Sequence, residues 1–448
     1  MGDLKMRRWR ILLGMLSSAC GLGREGEAGK KATNAPSVTL DEIRKAAEKG
    51  DGEAQFRLGE MYENGQGVGQ DYAEALKWYG IAAEKDIPLA QQRLGSMYAF
   101  GRGVSKDLAE GMKWYRKAAE RGDAKAAIML GTFFQYGQGV TRDYAQAAKW
   151  YRKAAEEGSV EAQYSLGHLY EWGHAGMKDY AEAVKWYRKA AESGYASAQV
   201  ALGTMYRCGW GVPQDCIQAV NWFRMAAEQG LEKAQCKLGA MYENGEGVRQ
   251  DYVEAAKWYR MSADRGNMCT QFELGVIYAE VGDYGEALKW FRKAADEEYE
   301  YAQYSLGLMY ARGQGVAQDH IEAARWYQKA ADQGLADAQF AVGVMYAKGQ
   351  GVKQDYAEAA KWCRKAAEQG NADAQLHLGV MYGKGEGVVK SRSVAADWFY
   401  KAGMSCLEDG NREEALRCCD RIAQVSPGNF LAEKLRRQIY AEGSGEIR

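Results

Sequence analysis

The stretch ENGQGVGQDY, Glu63 to Tyr72, carries glycine at positions 65, 67 and 69. Glycine at that density serves one of two purposes: it cradles a phosphate, or it reverses the chain. A phosphate loop follows a strand, opens a helix and offers converging backbone N–H groups. Its P-loop form also ends in Gly-Lys-Ser/Thr, which is missing here. The rest of the chain decides the matter. The loop returns as GRGV at Gly101, GQGV at Gly137, GWGV at Gly209 and GEGV at Gly245, and again at Gly313, Gly349 and Gly385. A loop used this often is architecture.

A repeating unit travels with it. Leu58, Leu94, Leu130, Leu166, Leu202, Leu238 and Leu274 follow one another at steps of 36 residues. Leu306 comes after 32, and Val342 and Leu378 resume the longer step. In the first half of the unit Ala54, Leu58, Gly59 and Tyr62 share one face of a helix. The glycines let the chain reverse through positive φ. Asp71-Tyr72-Ala73-Glu74 then predicts a capping box, with Asp71 accepting from exposed N–H groups and Glu74 reaching back. Ala75, Trp78, Tyr79 and Ala82 mark an amphipathic second helix. A glycine inside the first helix costs about 1 kcal/mol against alanine. Its recurrence at Gly59, Gly95, Gly131 and Gly167 predicts a close crossing filled by a Trp-Tyr pair. One unit cannot bury that pair alone, so units must stack.

The pattern Ala-x-x-x-Leu-Gly-x-x-Tyr, Gly-x-Gly-Val, Asp-Tyr-x-x-Ala, Trp-Tyr-x-Lys-Ala-Ala resembles the Sel-one-like repeat (SLR) family, a relative of the tetratricopeptide repeats. Ten such units cover about residues 52–403. The resemblance implies an all-α fold, a right-handed α/α superhelical solenoid of about ten 36-residue helix-turn-helix repeats. It also implies a non-catalytic adaptor or scaffold that presents a concave groove lined by first helices. Unit seven lacks the glycine loop and turns through Val281-Gly282-Asp283. Unit four carries Gly173-His174-Ala175-Gly176, and unit five has Cys216 in place of the helix-starting tyrosine.

Four segments follow. Residues 1–20 order a basic stretch (Lys5 to Arg10), a short apolar run (Ile11 to Leu16) and small residues before Cys20. That is the layout of a signal peptide, with Cys20 placed as a lipidation candidate. Residues 21–38 read as a flexible tether, 39–403 as the solenoid, and 404–448 as a tetratricopeptide-like capping hairpin and tail. The expected location is periplasmic, outer-membrane-anchored or secreted, with a cytoplasmic adaptor as the alternative. Only four prolines interrupt 448 residues, in keeping with a mostly helical chain. The 59 Lys and Arg balance 60 Asp and Glu, so no net field draws the chain onto nucleic acid.

Little points to chemistry. His168, His174, His320 and His377 are scattered, and no Cys-x-x-Cys or His-x-x-x-His pair implies a metal. No Gly-x-Ser-x-Gly elbow is present, and no cofactor is implied. Cys208 and Cys216 flank the loop of unit five and form the disulfide candidate. A cysteine-rich branch of the family, linked to penicillin binding, staples its repeats with Cys-x7-Cys. Here that spacing occurs once and in another part of the unit, so weak hydrolysis of a cell-wall-like ligand stands only as an alternative. Protein or peptide partners remain as the main expectation. Phe100, Tyr136 and Trp172 precede the loop glycine in three consecutive units, either as interface anchors or packed under a neighbouring loop. Val276, Leu308, Val344 and Val380 follow "LG" in units seven to ten, as an apolar groove or as tighter core.

Overall fold

The computed structural model describes residues 39–173 and 178–441, which form 23 helices and no strand. The expected leader, the Cys20 site, the tether and His174 fall outside the described residues. Each repeat is a pair of helices, the first being Gly52–Asn64 with Tyr72–Glu84. Asp51 and Asp71 cap them, accepting from Ala54 N–H and from the N–H groups of Ala73 and Glu74. Among the described residues the capping box is completed only at Thr39 and Glu42, which open the helix Leu40–Glu48. In the repeats the glutamate turns the other way. Glu74 pairs with Lys77 at 3.3 Å and Glu182 with Lys185 at 2.9 Å. These exposed i,i+3 pairs contribute only a few tenths of a kcal/mol each.

The loop is built as a helix stop. Gly65 adopts φ 68° and ψ 31°, its N–H and that of Gln66 return to the Met61 carbonyl, and Asp71 N–H donates to Tyr62 O at 2.9 Å. The second glycine has a different task. A Cβ on Gly103 would lie 2.5 Å from the Tyr72 carbonyl oxygen, so this glycine sits directly on the start of the preceding repeat's second helix. The valine that follows plugs the core beneath, as Val212 and Val248 do. The loop therefore joins repeats as well as reversing the chain.

The helix-interior glycine meets the second-helix tyrosine, or the phenylalanine or cysteine that replaces it in four repeats, rather than a Trp-Tyr pair. A Cβ on Gly59 would come within 2.7 Å of the Tyr79 ring, and one on Gly239 within 2.8 Å of Tyr259. Both tyrosines are fully buried. The ring comes from the second helix of the same repeat. The tryptophan packs instead beside the repeat's leucine, as Trp258 does with Leu238 and Trp290 with Leu274. Burying each such aromatic contributes on the order of 2 kcal/mol.

The described residues divide into two compact units, one ending at Arg121 and the other beginning at Gly122. In the first, cores form around Leu58 with Trp78 and around Tyr79 with Leu94 and Met97. In the second, comparable cores recur repeat by repeat through Phe223, Phe291, Tyr327 and Cys363. The helix Arg392–Glu408 runs through the expected 403/404 boundary, and Arg412–Val425 and Phe430–Ala441 close the array.

Two hydrogen bonds that the hydrophobic period does not reveal tie repeat to repeat. A buried glutamine donates to the last turn of the preceding second helix, as Gln163 does to Ala155 O and Gln235 to Ala227 O. An arginine donates to the tyrosine of the next first helix, as Arg188 does to Tyr206 at 2.7 Å and Arg364 to Tyr382 at 2.6 Å. The glutamines differ in one respect. Gln199 Oε1 accepts from Gln229 at 2.8 Å, whereas Gln235 Oε1 has no hydrogen-bond partner. Gln199→Ala is therefore expected to cost about 2 kcal/mol and Gln235→Ala about 1, because only the first breaks two bonds. Urea titration of the two variants measures the difference, and equal losses would contradict it.

Candidate functional site

Within most first helices the alanine, glutamine, leucine and glycine are buried against neighbours, as Ala198, Gln199, Leu202 and Gly203 are, which leaves the opposite face to carry side chains that vary between repeats. Phe100, Tyr136 and Trp172 each end a first helix and are 55%, 65% and 54% exposed. They are not packed beneath a neighbouring loop. Phe100 lies in the first compact unit and the other two in the second. His168 sits one turn before Trp172, with ring centroids 5.8 Å apart. The four apolar positions fare unevenly. Val276 is buried among Phe272, Phe291 and Tyr299 and offers no surface. Leu308, Val344 and Val380 are half-buried, Leu308 and Val380 lying against neighbouring cores.

The centre of this face, in repeats four to six, is charged. The position before the last of the first helix is glutamate in three repeats, where it accepts from the second-helix tyrosine. Tyr79 donates to Glu63 at 2.6 Å, Tyr187 to Glu171 at 2.6 Å and Tyr259 to Glu243 at 2.9 Å. Repeat five exchanges both partners, for Arg207 and Phe223. Phe223 has no hydroxyl to offer, so Arg207 turns to the next loop and holds Glu246 in a fork, Nε at 2.7 Å and Nη2 at 3.2 Å. Lys237 extends over the Phe223 ring, 5.7 Å from its centroid. Its ammonium has no ion pair among the described residues.

Burial governs the electrostatics here. Burial pushes the Glu171 carboxyl up, against the hydrogen bond from Tyr187 and the pull of Lys233 and Lys237. Burial pushes Lys237 down, helped by Lys233 and Arg207. The Cys236 thiol is pushed up to about 12 by burial and by Glu273. A carboxylate and an ammonium, both strained by desolvation, thus share one face with a guanidinium between them along the chain. Sequence reasoning missed this group, although the Glu-to-Arg and Tyr-to-Phe exchange in one repeat was visible in the letters.

The contact between Cys363 and His377 does not make an activated nucleophile. The Cys363 sulfur lies 3.9 Å from His377 Nδ1. Burial pushes that thiol up to about 12 and the imidazole down, so the pair stays neutral and supplies no thiolate. Among the described residues no cluster of His, Cys, Asp or Glu could hold a metal. Cys208, exposed, ends the first helix of repeat five and Cys216, half-buried, starts the second, on either side of the loop.

The Sel1 repeat model matches residues 52–87, 88–123, 124–159, 160–195, 196–231, 232–267, 271–299, 300–335, 336–371 and 372–405. The chain belongs to the Sel1 repeat family. The short seventh match coincides with the loop-free repeat, where Gly282 at φ 84° and the Asp283 to Tyr278 hydrogen bond replace the glycine loop. Among solved structures, c5321, a protective antigen present in uropathogenic Escherichia coli strains with an SLR fold, is 37% identical. It matches over 91% of this chain and 90% of its own, with a TM-score of 0.76. A Sel1 repeat protein from Oxalobacter formigenes is 31% identical over 82% of this chain and 99% of its own, with a TM-score of 0.47. Comparison with curated proteins gave no match. Sel1 repeat proteins are typically protein-interaction scaffolds, and no enzyme family is indicated for this one.

Proposed function

We propose that this Sel1 repeat protein is a non-catalytic scaffold that grips a protein or peptide partner along its first-helix face, outside the cytoplasm. The observation that carries the reading is the half-buried Lys237 ammonium, left without an ion pair beside Glu171 on a face that also exposes Tyr136 and Trp172. Desolvating a charge without pairing it costs stability, and such sites are enriched where a ligand completes the pairing. The exposed aromatics supply the anchors such an interface needs. Lys237→Met is expected to leave stability unchanged or raise it by about 1 kcal/mol while weakening partner capture about tenfold or more. Joint replacement of Tyr136 and Trp172, both in the second compact unit, by alanine is expected to weaken capture as strongly, with helicity by circular dichroism unchanged. Capture retained by both variants would remove this face from the proposal.

The basic, apolar and small-residue order of residues 5–20 supports export, and so does the description of the similar c5321 as a protective antigen. The intact mass of the protein from its own cells tests this. Loss of residues 1–19 with lipid mass on Cys20 is expected, and a full-length mass would contradict it.

A further inference from the structure

Three cysteines sit in the closing hairpin, and the structure brings two of them together. Cys406 lies in the last turns of Arg392–Glu408, and Cys418 lies midway along Arg412–Val425, the helix that packs antiparallel against it after the turn 409–411. Both are buried in one core with Phe399, Ile422 and Leu435. The Cys406 side chain is the polar neighbour that acts most strongly on the Cys418 thiol within that core. The backbones approach closely there, since a Cβ on Gly403, one turn before Cys406, would lie 3.2 Å from Cys418 Cβ. Cys419 is also buried, but it is the neighbour in a helix and so points about 100° away.

We propose that Cys406 and Cys418 are a disulfide-forming pair that staples the capping hairpin to the last repeat. The bond closes only a short loop, and both ends are already in place, so little backbone movement is needed. The oxidant is a low-molecular-weight disulfide. A thiolate of one cysteine attacks it and expels one thiol, and the second cysteine then displaces the other. The two protein sulfurs lose one electron each, and the reagent leaves as two thiols that carry the protons. Contact with Cys406 and burial hold the Cys418 thiol far above its ordinary range. Thiolate is therefore scarce while the hairpin stays closed, which makes formation slow and dependent on local opening. The bond, once made, locks the end of the array, where a repeat protein otherwise frays.

The test uses the folded full-length protein incubated with oxidised glutathione at mildly alkaline pH, then alkylated, digested without reduction and mapped by mass spectrometry. The expected result is a cross-linked peptide pair through Cys406 and Cys418, two hydrogens lighter than the separate peptides. It should be retained in Cys419→Ser and absent in Cys418→Ser. Hydrogen exchange of residues 412–425 in the oxidised wild-type protein should slow at least tenfold, a readout independent of how well Cys418→Ser folds. Recovery of Cys406 and Cys418 as alkylated thiols after prolonged oxidation would overturn the proposal. So would a Cys406–Cys419 link, or a Cys406–Cys418 link that leaves exchange unchanged.

Discussion

Gly351→Ala is expected to destabilise the chain by about 3 kcal/mol, although it adds a single methyl group to an exposed loop. Two costs combine. The residue sits at φ 72°, where a non-glycine residue costs about 1–2 kcal/mol. A Cβ there would also lie 1.9 Å from the His320 carbonyl oxygen and 2.4 Å from its carbon. Both obstructing atoms are backbone, so no rotamer change relieves the clash. The loop of the ninth repeat must lift off the second helix of the eighth, and their coupling is lost. Gly370→Ala provides the control: φ is 89°, yet nothing lies within 4 Å of its Cβ, so only the conformational cost of about 1 kcal/mol applies. The urea midpoints of the two variants separate the terms. If Gly351→Ala proves as mild as Gly370→Ala, the glycine loop is only a turn and does not clamp repeats together.

Leu435→Asp is expected to cost about 4 kcal/mol or more and to melt the two closing helices. Leu435 is fully buried, in the core that holds Phe399, Cys418 and Ile422. Its Cδ2 would lie 2.3 Å from a Cβ on Gly403, which shows how tightly the last helix seats. Aspartate there loses the leucine's packing and buries a charge with no partner, two of the few changes that exceed the usual cost of a point mutation. Freeing the closing helices uncovers Phe399 and Ala396, so the variant should also self-associate, as solenoids without an end cap do. Limited proteolysis at the turn 409–411, followed with light scattering, checks both effects. Wild-type resistance and a monodisperse variant would show that the hairpin is not a cap.

Much of this was legible in the letters. The 36-residue recurrence from Leu58 to Leu274 and the loops at Gly101, Gly137 and Gly245 were enough to derive paired helices, and they lie where the period placed them. Asp71 caps as its type and position demand, and Gly59 marks a notch for an aromatic ring. What escaped depends on atoms from other repeats. The Asp71 N–H that Glu74 would accept from is taken by the Tyr62 carbonyl of the loop, so the Glu74 carboxylate accepts from Lys77 instead. Gln163 looks like any helix-surface glutamine, because its acceptor belongs to the preceding repeat; its recurrence at one position was the overlooked signal. Val276 and Val380 share a register position and differ in burial, because only Val276 is covered by Phe291 and Tyr299. The charged group of Glu171, Arg207 and Lys237 needs residues from three repeats, and no local pattern assembles it.

The most direct test of the scaffold reading places a photo-crosslinking amino acid at one position at a time, in the protein within its own cells. Positions 172 and 237 lie on the first-helix face, and position 149 lies exposed on the second helix Tyr144–Glu156. The expected result is the same cross-linked protein at 172 and 237 and none at 149. Cross-linking at 149 alone would place the interface on the other face and contradict the account.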